Sequence, residues 1–220
     1  MRTIKLAAFV SLDGVMQAPG GPEEDPSGGF AYGGWIVPFA DEAMGAAMLK
    51  AMGDDFDLLL GRRTYEIFAA HWPLESDAFA ERLNGARKHV AARPDEPLDW
   101  TGSERLGDDV AAAVATLKQG DGKPLLIQGS ATLVHTLLAA DLIDEITTLT
   151  FPVILGGGKR LFPAAGRASA WRVVGSAATP GGAIVTRYLR DGELTAGSFA
   201  HATPTPAETA RRARLAREDR

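Results

Sequence analysis

Residues 61–66, Gly-Arg-Arg-Thr-Tyr-Glu, follow directly on the apolar run 56–60. A strand that closes on glycine and opens at once into a helix aims unpaired backbone N–H groups at one point, and Arg62 and Arg63 add two guanidinium forks beside Gly61 and Thr64. That combination suits a phosphorylated ligand and reads as a nucleotide site. Two more junctions have the same form. Arg93 stands at the exit of the run 88–92, and Gly129 closes the run 125–128 before Ser130, Ala131, Thr132 and Leu133 enter a helical stretch. Ligands of open parallel sheets sit at the carboxyl ends of strands, so if these strands are neighbours, two helix N-termini and up to three arginines converge on one anion. Taken singly, each junction also reads as a tight turn, with Ser130 or Thr64 as a helix cap.

The elements that must position these residues follow from hydrophobic periodicity. Residues 4–12 form a buried strand closed by the Asp13-Gly14 turn, and residues 17–34 form a long Gly/Pro-rich loop, either a binding lid or a mobile surface insertion. An amphipathic helix covers 41–52, a strand 56–60, a short helix 64–70, a helix or turn 76–83, and a strand 88–92. A helix over 107–119, a strand over 125–128 and a helix over 129–140 come next, after which 143–155, 171–177 and 183–189 are strand-like with no helix between the last two. Alternating strands and helices predict a parallel sheet covered on both faces, with an antiparallel addition at the end. Residues 191–220 turn polar and carry five Arg against three acids from 207 onward, which predicts a disordered or weakly helical appendage to a domain spanning 1–190. Docking of an amphipathic helix at 207–220 on a partner chain is the alternative, but Leu215 is the only large apolar residue of that segment.

Composition narrows the chemistry. The chain has 220 residues, 45% hydrophobic and 23% charged, enough for one substantial core. With no cysteine there is no disulfide framework, thiolate metal site or thiol nucleophile. A net charge of -5 gives no global attraction for nucleic acid or an anionic membrane, so any anion site must be a local basic pocket. No run approaches the ~20 apolar residues of a membrane span, and residues 1–5 lead into no cleavage site, so the expected location is the cytoplasm. The four histidines, 71, 89, 135 and 201, are too scattered to suggest a metal site. Residues 156–159, Gly-Gly-Gly-Lys, lack the spacing of a P-loop, and residues 128–132 lack the flanking glycines of a nucleophile elbow.

Four segments stand in a familiar order: Ser-Leu-Asp-Gly at 11–14, Leu-Gly-Arg-Arg-Thr-Tyr-Glu at 60–66, Ile-Gln-Gly-Ser at 127–130, and Phe-Pro-Val-Ile-Leu-Gly-Gly-Gly-Lys-Arg-Leu-Phe at 151–162. Over roughly residues 2–190 the chain resembles the dihydrofolate-reductase-like family. The branch it resembles is the C-terminal reductase domain of the bifunctional riboflavin-biosynthesis deaminase/reductase. That resemblance implies a three-layer α/β fold: a mainly parallel central sheet, helices on both faces and antiparallel strands at the C-terminal end. It also implies NADPH across the carboxyl ends of the strands, with the nicotinamide facing a heterocyclic substrate. Carried over by position, Gly61, Arg62, Arg63 and Thr64 would hold the 2'-phosphate and pyrophosphate side, Arg93 would help at the 2'-phosphate, and Gly129 to Leu133 would cradle the pyrophosphate. A 2'-phosphate calls for cationic forks, and no carboxylate for a ribose 2'-hydroxyl follows these junctions in sequence. The chain departs from the family at Gln128-Gly129, where dihydrofolate reductases have a Gly-Gly pair that supports a cis peptide.

Hydride transfer draws its reactive hydrogen from the cofactor, but the reduced substrate still needs a proton. Asp13, at the end of the first strand, is the first candidate to orient the substrate or relay a proton, and an Asp-Gly turn residue is its alternative. Asp41 is the second, with stabilisation of a helix start as its alternative. Trp35, Phe68, Trp72 and Phe151 are candidates to wall a flat heterocycle, or else plain core. The sequence is thus read as an NADPH-dependent reductase of a small heterocyclic or carbonyl compound. By resemblance this is an activity like 5-amino-6-(5-phosphoribosylamino)uracil reduction, in a homodimer without nucleic-acid or membrane partners. A true dihydrofolate reductase is the first alternative and would need an acid on the 41–52 helix; a nucleotide-binding module without turnover is the second.

Overall fold

The computed structural model of the protein describes residues 1–218. In chain order it contains β1 (Ile4–Ser11), α1 (Glu42–Met52), β2 (Asp57–Gly61), α2 (Arg62–His71), α3 (Ala78–Gly85), β3 (Lys88–Ala91), β4 (Ser103–Arg105) and α4 (Val110–Gln119). Then come β5 (Leu125–Gln128), α5 (Ala131–Ala139), β6 (Glu145–Phe151), β7 (Trp171–Ala178), β8 (Ile184–Arg190) and α6 (Pro206–Glu218). The strands form one eight-stranded sheet in the order β4-β3-β2-β5-β1-β6-β8-β7. β1 to β6 pair in parallel, whereas β8 runs antiparallel to both β6 and β7. The expected α/β architecture, mainly parallel with an antiparallel C-terminal end, is what forms.

Strand side chains alternate between faces, and the two cores follow that period. Ala7, Leu58, Leu60 and Leu126 face Met48 and Met52 of α1, Tyr65 of α2 and Leu83 of α3. Ile4, Leu6, Ala8, Leu59, Leu125 and Ile127 face Val114 of α4 and Leu133, Val134 and Leu137 of α5. Asp41, Asp77 and Asp109 start α1, α3 and α4 by accepting first-turn N–H groups, which places three helix starts a residue or more from where hydrophobic spacing alone set them. Pro152 stops β6 at Phe151, shortening the expected 143–155 strand.

Two segments differ from the sequence-based expectation, β4 and the 17–34 stretch, and the tail takes the helical of its two expected forms. β4 was not foreseen, because a three-residue Ser-Glu-Arg edge strand carries no hydrophobic period. The tail forms helix α6, with none of its residues buried and Glu208 paired to Arg211 and Arg212 at 2.6 and 2.8 Å. Residues 219 and 220, the end of the predicted appendage, lie outside the described residues. The Gly/Pro-rich stretch 17–34 is pinned rather than loose. Gln17 donates to the carbonyls of Asp25 and Ser27 at 2.9 Å each and accepts from Lys159 N at 2.9 Å, while Trp35 Nε1 donates to Gln17 O at 2.8 Å. No described helix is long and apolar enough to cross a membrane.

Lys88 of β3 is wholly buried. Its Nζ donates to the carbonyls of Asn84 and Thr101 at 2.7 and 3.0 Å and lies 4.2 Å from the centroid of the Trp100 ring. Burial outweighs these contacts and pushes the ammonium down to about 8 from 10.5. Between those two values the unfolded chain binds more protons than the folded one, so this group makes stability rise with pH across that window. Denaturant unfolding of wild type and Lys88→Met at pH 7.5, 9 and 10.5 should show the difference shifting toward wild type with pH, by on the order of 1 kcal/mol. A constant difference would show that Lys88 titrates normally.

Candidate active site

The strand order brings the three sequence junctions together. β3, β2 and β5 are consecutive in the sheet, so the chain leaves them side by side at one edge. There a cavity of about 1080 Å³ opens along the carboxyl ends of the strands, at the top of the usual range for ligand pockets and roomy enough for an elongated ligand.

One end of the cavity is polar. Gly61, Arg62, Arg63 and Thr64 line it together with Gly129, Ser130, Ala131, Thr132 and Leu133. Gly61 N–H donates to Ser130 Oγ at 2.8 Å, which ties the start of α2 to the start of α5. Ser130 therefore does not cap its own helix; it sits at φ 64 after Gly129 at φ 80, a left-handed pair that turns the chain sharply from β5 into α5. A Cβ built at Gly129 would lie 3.0 Å from Thr64 Cγ2, so any side chain there would press on the Thr64 side chain, and the positive φ favours glycine as well. All described peptide bonds are trans, Gln128–Gly129 included. Gln128 lines the cavity at 8% exposure, and its Oε1 is buried without a hydrogen-bond partner. Two helix N-termini and a glycine cradle fit the pyrophosphate region of a dinucleotide.

The arginines diverge. Arg62 meets Glu66 at 2.7 Å and Glu96 at 3.0 Å, and Glu66 holds its guanidinium charged. Arg93 is 75% exposed and does not line the cavity; it stands at the rim, 3.1 Å from the same Glu96 oxygen. Carboxylates thus do occupy this junction, contrary to the sequence reading, because Glu96 reaches it from a loop beyond β3 whose path has no local sequence signal. Arg63 points the other way, to Ser27 Oγ at 2.6 Å and Asp25 at 3.4 Å. Lys159 joins the same cluster by pairing with Asp25 and by donating to Ser27 Oγ at 2.9 Å. Burial opposes ionisation of Asp25, but Lys159, Ser27 and Arg63 outweigh it and hold the carboxyl below its usual range.

The other end is apolar, walled by Phe9, Ile36, Met44, Met48, Ile67, Phe68, Trp72 and Phe79. Of the four aromatic candidates, Phe68 and Trp72 are among the lining residues. Trp35 and Phe151 are not: both are buried in the core, 5.5 Å apart edge to face, and neither lines the cavity. Their aromatic character signalled burial, and burial is what they have.

Both catalytic candidates are likewise displaced. Asp13 accepts from Ser11 Oγ at 2.6 Å, Leu155 N at 3.1 Å and Gly156 N at 3.0 Å, and lies 3.5 Å from Arg160. The Ser11 hydroxyl first, then those amides, hold its carboxyl below the ordinary range, and its hydrogen bonds tie the 11–14 turn to the 155–156 turn. Asp41 accepts from Met44 N at 2.6 Å and from Gly181 N, and these two amides lower its pKa as well. It is a helix cap that also fastens the β7–β8 turn. Neither acid lines the cavity. The cavity's own acids are Glu23, Glu24 and Asp25, on the pinned loop, with His71 nearby on α2. The acidic triplet within a Gly/Pro-rich loop was the only trace of them in sequence. α1 turns Met44, Gly45 and Met48 toward the cavity, not the acid a true dihydrofolate reductase would need there. Among the described residues no cluster of His, Asp and Glu could hold a metal ion.

Comparison with known proteins agrees with this architecture. An uncharacterized protein of Bacillus subtilis (strain 168), YyaP, is 26% identical over 166 residues, covering 73% of this chain and 80% of its own. Among solved structures, a candidate riboflavin biosynthesis protein from Shewanella sp. PV-4 superposes with a TM-score of 0.54 at 20% identity, over 86% of this chain and 99% of its own. The dihydrofolate reductase of Enterococcus faecalis, solved with NADP(H) and RAB-propyl, gives a TM-score of 0.54 at 16% identity, over 86% of this chain and 96% of its own. The model of the RibD C-terminal domain matches residues 2–185. With that match on a sheet whose strand ends gather two helix N-termini above one cavity, the chain belongs to the RibD C-terminal domain family, of dihydrofolate-reductase-like fold.

Proposed function

We propose that this protein is an NADPH-dependent reductase of a small heterocyclic or carbonyl compound, working in the cytoplasm, where a reduced nicotinamide pool is kept. The observation that carries the reading is the joining of α2 and α5 by the Gly61–Ser130 hydrogen bond at the polar end of a cavity whose other end is apolar. Bound there, a dihydronicotinamide supplies the hydride. The chain does the rest. N–H groups at the starts of α2 and α5 hold the pyrophosphate, Thr64 and Gly129 set the width of the cradle, and Arg62 with Arg93 faces the 2'-phosphate, which takes the place of Glu96 on their guanidinium groups. The apolar walls exclude water and orient the substrate face. Family membership supports a role in or near riboflavin biosynthesis, with a phosphoribosylaminouracil-type carbonyl as the first substrate to try. The absence of an acid from the cavity face of α1 weighs against a true dihydrofolate reductase, and a module without turnover would bind the cofactor but leave it unoxidised whatever substrate is supplied.

A homodimer is part of the same reading. β7 is the outermost strand, and Val173 and Val174 on it, with Ile184 on β8, expose apolar surface beside an unpaired edge.

Titration of Trp fluorescence should show tighter binding of NADPH than of NADH. Arg62→Ala should lower that preference about tenfold, an effect of ~1.4 kcal/mol, while Arg63→Ala changes it less because Arg63 is engaged by Asp25 and Ser27. Unchanged preference in Arg62→Ala would place the 2'-phosphate elsewhere. Gly129→Val should weaken both cofactors by tenfold or more, since its Cβ meets Thr64 at 3.0 Å and its φ of +80° strains any L side chain. Wild-type affinity in that variant would exclude residues 129–133 from the cradle. Gel filtration should give a mass near twice 23.2 kDa, and a concentration-independent monomer would remove the dimer.

A further inference from the structure

Among the described residues two of the cleft's three acids are claimed by no cation: Glu23, which is exposed, and Glu24. Asp25 is spent on Lys159, Ser27 and Arg63, whereas among the described residues no Lys or Arg forms an ion pair with Glu24. Glu24 lines the cavity, half-buried, and its carboxyl is fixed by the turn it closes. Gly20 N–H donates to Glu24 Oε2 at 2.6 Å, and Glu24 N–H donates to Gly21 O at 3.2 Å. The residues on either side of the turn are anchored too, through Gln17 and Asp25. Helix α2 measures where this acid works. Arg62 and Arg63 stand at its start and His71 at its end, nine residues or ~14 Å away, beside Phe68 and Trp72. Ile36, one of the apolar walls, donates its N–H to Pro19 O at 3.3 Å, next to the Gly20 that holds the Glu24 carboxyl, which sets the acid beside the apolar wall.

We propose that Glu24 is the catalytic residue that protonates the reduced substrate, and that the apolar end of the cleft takes an uncharged, flat, conjugated heterocycle bearing a C=O or C=N bond. This rests on the reductase reading and narrows its substrate class, away from the phosphoribosyl compound that family membership suggests. A phosphorylated or carboxylated substrate would meet Glu23 and Glu24 at that end, whereas the lining cations Arg62, Arg63 and Lys159 are each already engaged by carboxylates. In the step itself, hydride from a dihydronicotinamide forms a C–H bond at the electrophilic carbon. The π pair of the C=O or C=N bond moves onto oxygen or nitrogen, which takes the proton from the Glu24 carboxyl. Substrate is reduced by two electrons, the nicotinamide is left oxidised, and Glu24 is left as a carboxylate that His71 reprotonates from solvent. Burial, opposed by the Gly20 and Gly21 amides and helped by the charge of Asp25, raises the Glu24 pKa above the ordinary range, as a proton donor requires.

The test uses the full chain with isatin, 3,4-dihydroisoquinoline and isatin-5-sulfonate as neutral carbonyl, imine and anionic probes. In protein labelled with carboxyl-13C glutamate, the signal lost in Glu24→Gln should titrate above the exposed glutamates; a midpoint at or below theirs overturns the assignment without reference to turnover. With NADPH, wild type should reduce at least one neutral probe faster than the sulfonate, with a rate that falls at alkaline pH. Glu24→Gln should lower kcat about 100-fold, lose that alkaline limb and keep NADPH affinity within about twofold, and Glu24→Asp should recover part of the rate. Full turnover in Glu24→Gln, or preference for the sulfonate, overturns the proposal. Wild type that binds NADPH but reduces neither neutral probe overturns the substrate class alone, whereas wild type that fails to bind NADPH or NADH overturns the reductase reading on which it stands.

Discussion

The hydrogen bond from Gly61 N–H to Ser130 Oγ is the contact on which the rest of the site depends. β2 and β5 are neighbours, so their ends lie only about one strand spacing apart, ~4.8 Å. α2 and α5 leave for opposite faces of the sheet, so only their first turns meet, and they meet this closely because the backbone turns sharply with little side chain at the point of contact. Gly61 and Gly129 remove the side chains, and the left-handed pair Gly129–Ser130 makes the turn. Placing Ser130 there costs about 1–2 kcal/mol of local backbone preference, and its hydroxyl offsets part of this by accepting the Gly61 amide. The strain is spent on aiming two sets of free N–H groups at one volume.

From that fixed point the cavity divides into two environments. Toward the helix starts lie peptide dipoles, an orphaned Gln128 oxygen and Arg62; toward the ends of α1 and α2 lie methionines and aromatic rings. A ligand with an ionic half and an apolar half fits such a space in one orientation only, which is how a fold with few reactive side chains selects a reaction. The 17–34 loop roofs the middle, held by Gln17 on one side and by the Asp25, Lys159 and Arg63 cluster on the other. Arg63 therefore serves the roof, although it sits next to Arg62 in sequence. One step along a helix turns a side chain by about 100°, enough to send two adjacent guanidinium groups to different tasks.

The shared fold with dihydrofolate reductase does not extend to the placement of the acid. In this chain the cavity face of α1 is Met44, Gly45 and Met48, and the available carboxyls come from the loop instead. Asp13 and Asp41, attractive from their positions near strand and helix ends, are consumed by backbone amides of the 155–156 and 181 turns. A carboxylate that accepts several N–H groups is held ionised, and an ionised acid anchors loops better than it donates protons.

Read alone, the amino-acid order determined most of the segments that become strands and helices, β4 excepted, that the sheet is mainly parallel, and that glycine and hydroxyl residues at 61–64 and 129–132 stand where strands give way to helices. Those features are local: period-2 and period-3.6 burial, capping aspartates, and Gly at turns where no Cβ fits are all written in neighbouring residues. Gly61, Arg62, Thr64, Gly129, Phe68 and Trp72 were legible for that reason. The tertiary structure decided what depends on segments far apart in the chain. Asp13 was claimed by amides 142 and 143 residues away, Glu96 came between Arg62 and Arg93, Trp35 and Phe151 packed into the core, and Glu24 was left unpaired facing the cleft. Whether an acid is an anchor, a counter-ion or a proton donor is set by which partners reach it, and those partners come together only when the chain folds.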